Sequence, residues 1–173
     1  PLVPGYRQPF SFQRKRIRQF WTGGIETHGV NLLGVIPGQT RPDDFLVISA
    51  HYDHLGEHNG AIYPGADDNA SGVATLLAAA AHFKAHPPAH SIVFTLFDGE
   101  ETGMAGARHF VDSGVLPMAK VRLNLNFDML SRSSDDVLFA TGTWQHPELK
   151  TLIDPLRAQV PIVVLYGHDQ PRP

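Results

Sequence analysis

Apolar residues gather in short runs separated by turn-forming clusters, and the length of each run predicts its element. Residues 45–50 (Phe-Leu-Val-Ile-Ser-Ala) and 91–97 (Ser-Ile-Val-Phe-Thr-Leu-Phe) are nearly continuous and too short for helices. They predict strands buried on both faces, the pattern of a parallel sheet. Residues 121–127, 136–140 and 161–166 predict three further strands. Residues 71–83 are mostly Ala, Leu and Val and predict a helix. Alanine is the strongest helix former, and its small side chain lets a helix lie close to a sheet. Asn69 or Ser71 is the natural N-cap, and Pro87-Pro88 ends the segment. Residues 104–111 and 147–159 predict two more helices, the second bent or divided at Pro155. Ahead of them, residues 10–21 and 30–36, parted by Gly23-Gly24, predict a β-hairpin or edge-strand pair. The cations Arg14, Lys15, Arg16 and Arg18 then protect an exposed edge. Residues 1–9 are polar and proline-bearing, and predict a loose lead-in.

Strands alternating with helices after an initial hairpin argue an α/β domain with a largely parallel central sheet. No repeat, low-complexity tract or linker interrupts residues 1–173, which are expected to form one domain. The composition, 42% apolar and 18% charged, is that of an ordinary globular chain. A net charge of -3 argues against a nucleic-acid partner, which calls for a basic surface. No apolar run approaches the roughly 18 residues of a membrane span. Without cysteine there are neither disulfides nor thiolate metal ligands.

Ligands of such sheets bind at the carboxyl ends of the strands. His51, the pair Glu100-Glu101 and Asp128 each follow a predicted strand, and Asp67-Asp68 precedes the alanine-rich helix. Singly, each has an ordinary structural role as a loop residue, a helix cap or a solvated first turn. Their gathering at one sheet edge points to a cation. Imidazole and carboxylates together suit zinc well, and manganese or cobalt less specifically. Two metals need a bridging carboxylate, for which Asp67 and Asp68 are both candidates. Asp53 can accept the second ring N–H of His51 and fix its tautomer. The Glu100-Glu101 pair divides into one ligand and one free base. No G-x-S-x-G elbow, P-loop or dinucleotide fingerprint is present.

The motifs AHYDHLG at 50–56, PGADDNASG at 64–72, DGEETG at 98–103 and NFDM at 126–129 resemble the zinc aminopeptidases of peptidase family M28. The similarity runs from about Asn31 to the end of the chain. The resemblance implies a three-layer α/β/α sandwich with a mixed, largely parallel sheet. It implies His51 and Asp128 as ligands of a first zinc, Asp68 as the bridge, and Glu101 as a ligand of a second zinc. Asp53 is implied to orient His51, and Glu100 to act as general base. A cis bond between Asp68 and Asn69 is typical of the family. The implied substrate is a peptide with a free N-terminus, and the implied location is secreted or periplasmic.

One departure bears on the second zinc. The family's last ligand is a histidine in a Ser-Asp-His motif beyond the strand at 161–166, and this chain has no such motif. His168 is one substitute. The expectation is instead a chain lacking its C-terminal part, with a complete first site. The second, held by Asp68 and Glu101 alone, would be weak, partly occupied or empty. Apolar surface left uncovered would favour association or a completing fragment. Two rival readings stand beside the aminopeptidase: a glutaminyl-peptide cyclase, which shares the regions around HYD and DGEE, and a non-catalytic member of the fold.

Overall fold

The computed structural model describes residues 2–14, 25–133 and 135–170. The expected hairpin residues Lys15, Arg16, Ile17, Arg18, Phe20, Trp21 and Gly23-Gly24 lie outside these described residues. In chain order the described residues form β1 (Arg7–Arg14), β2 (Ile25–Ile36), β3 (Arg41–His51), β4 (Gly56–His58) and β5 (Ala61–Tyr63). There follow α1 (Gly72–Ala85), β6 (His90–Phe97), α2 (Ala105–Asp112), β7 (Val121–Asn126), β8 (Val137–Phe139), α3 (Leu149–Arg157) and β9 (Val163–Leu165). They fall into two compact units, Pro1–Met129 and Leu130–Pro173, where the sequence suggests one domain. The division follows the pairing: β8 and β9 pair with each other and add no strand to the main sheet.

The first unit holds a five-stranded sheet in the order β1-β2-β6-β3-β7. β6, β3 and β7 run parallel, while β1, β2 and β6 are joined antiparallel, so the sheet is mixed. Side-chain alternation assigns its two faces. Val47 of β3 and Val93 and Phe97 of β6 pack with Leu33 and with Phe110 of α2. Their neighbours Ile48, Ala50, Ile92 and Phe94 pack with Leu76 of α1, alongside Val73, Ala79, Ala80 and Phe83. One helix therefore covers each face, giving the expected three layers. Leu76 is only 2% exposed. Burying a leucine so completely contributes about 2–3 kcal/mol, which anchors α1 at a fixed height over β3.

Three local features differ from expectation. β1 begins at Arg7, inside the expected lead-in, because Gln8 is buried in a polar network. Its side chain accepts from Asn31 Nδ2 at 2.9 Å and donates to Ser113 Oγ at 2.9 Å. The Gly- and His-rich loop after His51 contains the small antiparallel hairpin β4-β5. Its turn is Asn59-Gly60, both at positive φ (53° and 77°), the twist that a two-residue hairpin needs. In the second unit, α3 continues through Pro155. The proline stands in the last turn, so its missing ladder bond falls only two residues before the helix ends at Arg157. There Tyr166 donates to Asp154 Oδ1 at 2.8 Å, and the His168 ring lies against Phe139. Among the described residues, no helix is long and apolar enough to cross a membrane.

Candidate metal centre

His51 is the last residue of β3, and its side chain is 4% exposed. The ladder continues one step past it, through Tyr52 N–H to the Phe97 carbonyl at 2.9 Å. On one side, His51 Nδ1 lies 3.1 Å from the Asp53 carbonyl oxygen and 3.6 Å from its carboxylate. On the other, Nε2 faces Asp68 Oδ1 at 3.1 Å and Asp128 Oδ1 at 3.5 Å. Burial pulls the imidazole pKa down, but the carboxylates of Asp53, Asp128 and Glu100 outweigh it and push it up to about 9. An imidazolium therefore balances these carboxylates in the metal-free chain.

The sequence suggests Asp53 as the residue that orients His51. Its carbonyl makes the closer contact to the ring, while its carboxylate mainly holds the next motif. Oδ1 accepts from Glu100 N–H at 3.0 Å, and Oδ2 from Glu101 N–H at 3.2 Å. Burial raises the Asp53 pKa, but His51 and these two N–H groups outweigh that and hold it below its ordinary value. Glu100 shifts the other way. Burial raises it, His51 lowers it, and Glu101, Asp128 and Asp53 raise it again, leaving it above its ordinary value. A carboxylate whose anion is disfavoured is a better proton acceptor at neutral pH.

Two buried asparagines hold the carboxylate-bearing turns. Asn69 is 2% exposed and follows a cis Asp68–Asn69 peptide bond. Its Nδ2 donates to the Phe127 carbonyl at 3.0 Å. Its Oδ1 accepts from Gly72 N–H at 3.1 Å and from Met129 N–H at 3.3 Å. One amide thus caps α1 and grips the residues on both sides of Asp128. The capping comes from Asn69, the first of the two suggested residues, while Ser71 Oγ donates to the Asp67 carbonyl at 2.7 Å. Asn31 does the same for the Glu100-Glu101 turn. It donates to the Gly106 carbonyl at 2.9 Å and accepts from Asp98 N–H at 3.1 Å. Asp98 Oδ2 in turn accepts from Val30 N–H at 2.9 Å and from the Tyr52 hydroxyl at 3.2 Å. Burial, with the charge and hydrogen bond of Asp98 behind it, pushes that hydroxyl up to about 12. Sequence reasoning assigned no site role to Asn31, Tyr52 or Asp98.

The ligating atoms gather in two groups: His51, Asp68 and Asp128, and His54, Asp68 and Glu101. Asp68 belongs to both. Its Oδ1 faces His51, and its Oδ2 lies 3.9 Å from His54 Nδ1. Of the two aspartates open as the bridge, Asp68 therefore has the bridging arrangement. Zinc–ligand bonds of about 2.0–2.1 Å at tetrahedral angles separate donors by roughly 3.3 Å. The first group, with 3.1 and 3.5 Å, sits at that spacing. In the second, His54 Nδ1 and Glu101 Oε1 are buried and 2.7 Å apart, an ion-pair distance shorter than that spacing. Beside Asp68 and Glu101, the two donors expected here, the structure brings His54, three residues after His51.

Comparison with known proteins agrees with this architecture. The model of peptidase family M28 matches residues 31–165. Aminopeptidase YwaD of Bacillus subtilis is 32% identical over 105 residues, which are 60% of this chain and 22% of that protein. A solved zinc aminopeptidase of Bacillus subtilis superposes with a TM-score of 0.66 at 25% identity, over 81% of this chain and 35% of that one. An Acidobacteriales glutaminyl cyclase superposes with a TM-score of 0.64 at 21% identity, over 98% of this chain and 67% of that one. The last likeness shows the fold alone. The chain spans less than a quarter of the length of the first curated relatives it matches, between 21% and 24%. With the family model matching well over half of its length, this chain belongs to peptidase family M28.

Proposed function

We propose that the chain carries the catalytic centre of a zinc aminopeptidase that removes the N-terminal residue of a peptide. The observation that carries this reading is Asp68, which turns one carboxylate oxygen to each of two donor groups with Glu100 beside them. Zinc held there would polarise the scissile carbonyl and make water acidic enough to react near neutral pH. His51, Asp68 and Asp128 would hold a first ion, and Asp68 and Glu101 would contribute to a second. Glu100 takes a proton from the attacking water and returns it to the leaving amine, for which its raised pKa suits it. Asp53 fixes both partners at once, through the His51 ring and the Glu100 N–H. Five carboxylates crowd this edge: Asp53, Asp68, Glu100, Glu101 and Asp128. Two divalent ions offset four of their charges, and the remaining negative charge favours the ammonium of a free N-terminus.

The test is a peptide with N-terminal glutamine, offered to the zinc-loaded protein with its amine free or acetylated. Release of free glutamine from the unblocked peptide alone is the expected result. Pyroglutamyl product would establish the cyclase reading, and equal cleavage of the acetylated peptide would remove the aminopeptidase assignment.

A further inference from the structure

Building on that reading, we propose that Tyr52 is a positioning residue for Glu100. Its hydroxyl fixes Asp98 on one side of Gly99, while Asp53 fixes Glu100 on the other. The need for such a clamp comes from the turn itself. β6 ends at Phe97, and Asp98 and Gly99 separate it from Glu100. Gly99 stands at φ +70° and has no side chain to resist rotation of its own backbone bonds. The proposed base is therefore carried on a swivel. A displacement of about 1 Å in a reacting group costs on the order of 100-fold in rate, so the swivel has to be locked.

The carbonyl side of the turn is gathered by the start of α2. Gly106 N–H donates to the Asp98 carbonyl and Ala105 N–H to the Gly99 carbonyl, both at 2.9 Å. The opposite side is gathered by two consecutive residues that leave β3. Tyr52 N–H donates to the Phe97 carbonyl at 2.9 Å. The Tyr52 hydroxyl stands 2.7 Å from the Val30 carbonyl and 3.2 Å from Asp98 Oδ2. Val30 N–H reaches the same carboxylate oxygen at 2.9 Å, so hydroxyl and strand together pin Asp98 to β2. Asp53 then accepts from Glu100 N–H at 3.0 Å and from Glu101 N–H at 3.2 Å. With Asp98 and Glu100 both held, the Gly99 dihedrals between them have no freedom left. Tyr52 is 41% exposed, so the hydroxyl rather than a buried ring makes its contribution.

The test is Tyr52→Phe, which removes the hydroxyl and leaves the ring. In aminoacyl-nitroanilide hydrolysis with zinc in excess, kcat should fall about tenfold while KM stays within about twofold, since substrate binds as before and the base is misplaced. Asp98→Ala should lose at least as much, and the double variant no more than Asp98→Ala, because the hydroxyl acts through that carboxylate. Amide hydrogen exchange of the metal-free protein reads the clamp without turnover. Glu100 and Glu101 N–H should exchange about fivefold faster in Tyr52→Phe, the effect of one hydrogen bond, with the β3 amides unchanged. An unchanged kcat, a change in KM alone, or losses that multiply in the double variant would each overturn the assignment. So would exchange that quickens throughout the fold or nowhere. An unaltered protein that hydrolyses nothing would overturn the aminopeptidase reading, and the exchange rates would still decide whether Tyr52 holds the turn.

Discussion

Asn69→Ala tests how the centre is held together. The side chain makes three hydrogen bonds at 3.0, 3.1 and 3.3 Å from a position 2% exposed. Each is worth about 1 kcal/mol net, and the backbone groups of Phe127, Gly72 and Met129 lose their partner in a buried place. The expected loss is about 3 kcal/mol, which for a chain of this size lowers the melting temperature by roughly 6–12 °C. An exposed asparagine would cost under about 0.5 kcal/mol, so the two cases separate cleanly. Urea denaturation of the metal-free protein measures the loss. Asp128 lies between two of the gripped residues, so zinc affinity at the first group should fall as well, by about 10–100-fold. A loss under about 1 kcal/mol with unchanged zinc affinity would refute the role of Asn69 as the clamp between the two turns.

Two further perturbations follow from the same geometry. The His51 pKa is raised to about 9, so the imidazolium's stabilisation of the metal-free protein is full below the ordinary value of 6.5 and is lost as pH rises through 9. The difference amounts to about 3 kcal/mol. Urea midpoints of the chelator-treated protein should therefore fall between pH 6.5 and 9, and a flat profile would contradict the charge balance described for the site. Gly72→Ala sets two effects against each other. Helix propensity favours alanine by about 1 kcal/mol. The added Cβ, however, meets the Asn69 amide and the Phe127 carbonyl, neither of which has room to move. Overpacking of this kind costs about 1–3 kcal/mol, and more where backbone must shift. Net destabilisation in a thermal melt is expected, and a more stable variant would show that the contact relaxes freely.

Much of the site was legible because its chemistry sits where periodic runs stop. His51 ends β3, Glu100 stands three residues past β6, and Asp128 stands two residues past β7. Short continuous apolar runs bounded by turn residues are too short for helices and fit buried strands, and strand ends in a parallel sheet define an edge. What stayed hidden depends on contacts between residues far apart in the chain. Asn31 lies in an apolar run with nothing to mark it, yet it joins Gln8, Asp98 and Gly106. Tyr52 has no role in the sequence reading beyond its place in the HYD motif, while its hydroxyl reaches Asp98, 46 positions on. The β4-β5 hairpin has its sequence signal in Asn59-Gly60, set in a stretch otherwise rich in glycine and histidine. The boundary after Met129 has no compositional mark, since it arises from which strands pair.

The central claim is that Glu100 moves the proton in a two-zinc site. The most direct measurement is aminoacyl-nitroanilide hydrolysis by the protein and by Glu100→Gln, with zinc content read on the same samples. The account predicts two zincs in both, turnover in the unaltered protein, and a rate lower by about 10²–10⁴ in the variant. A variant that keeps two zincs and a near-normal rate would contradict it, as would an unaltered protein that holds two zincs and hydrolyses nothing.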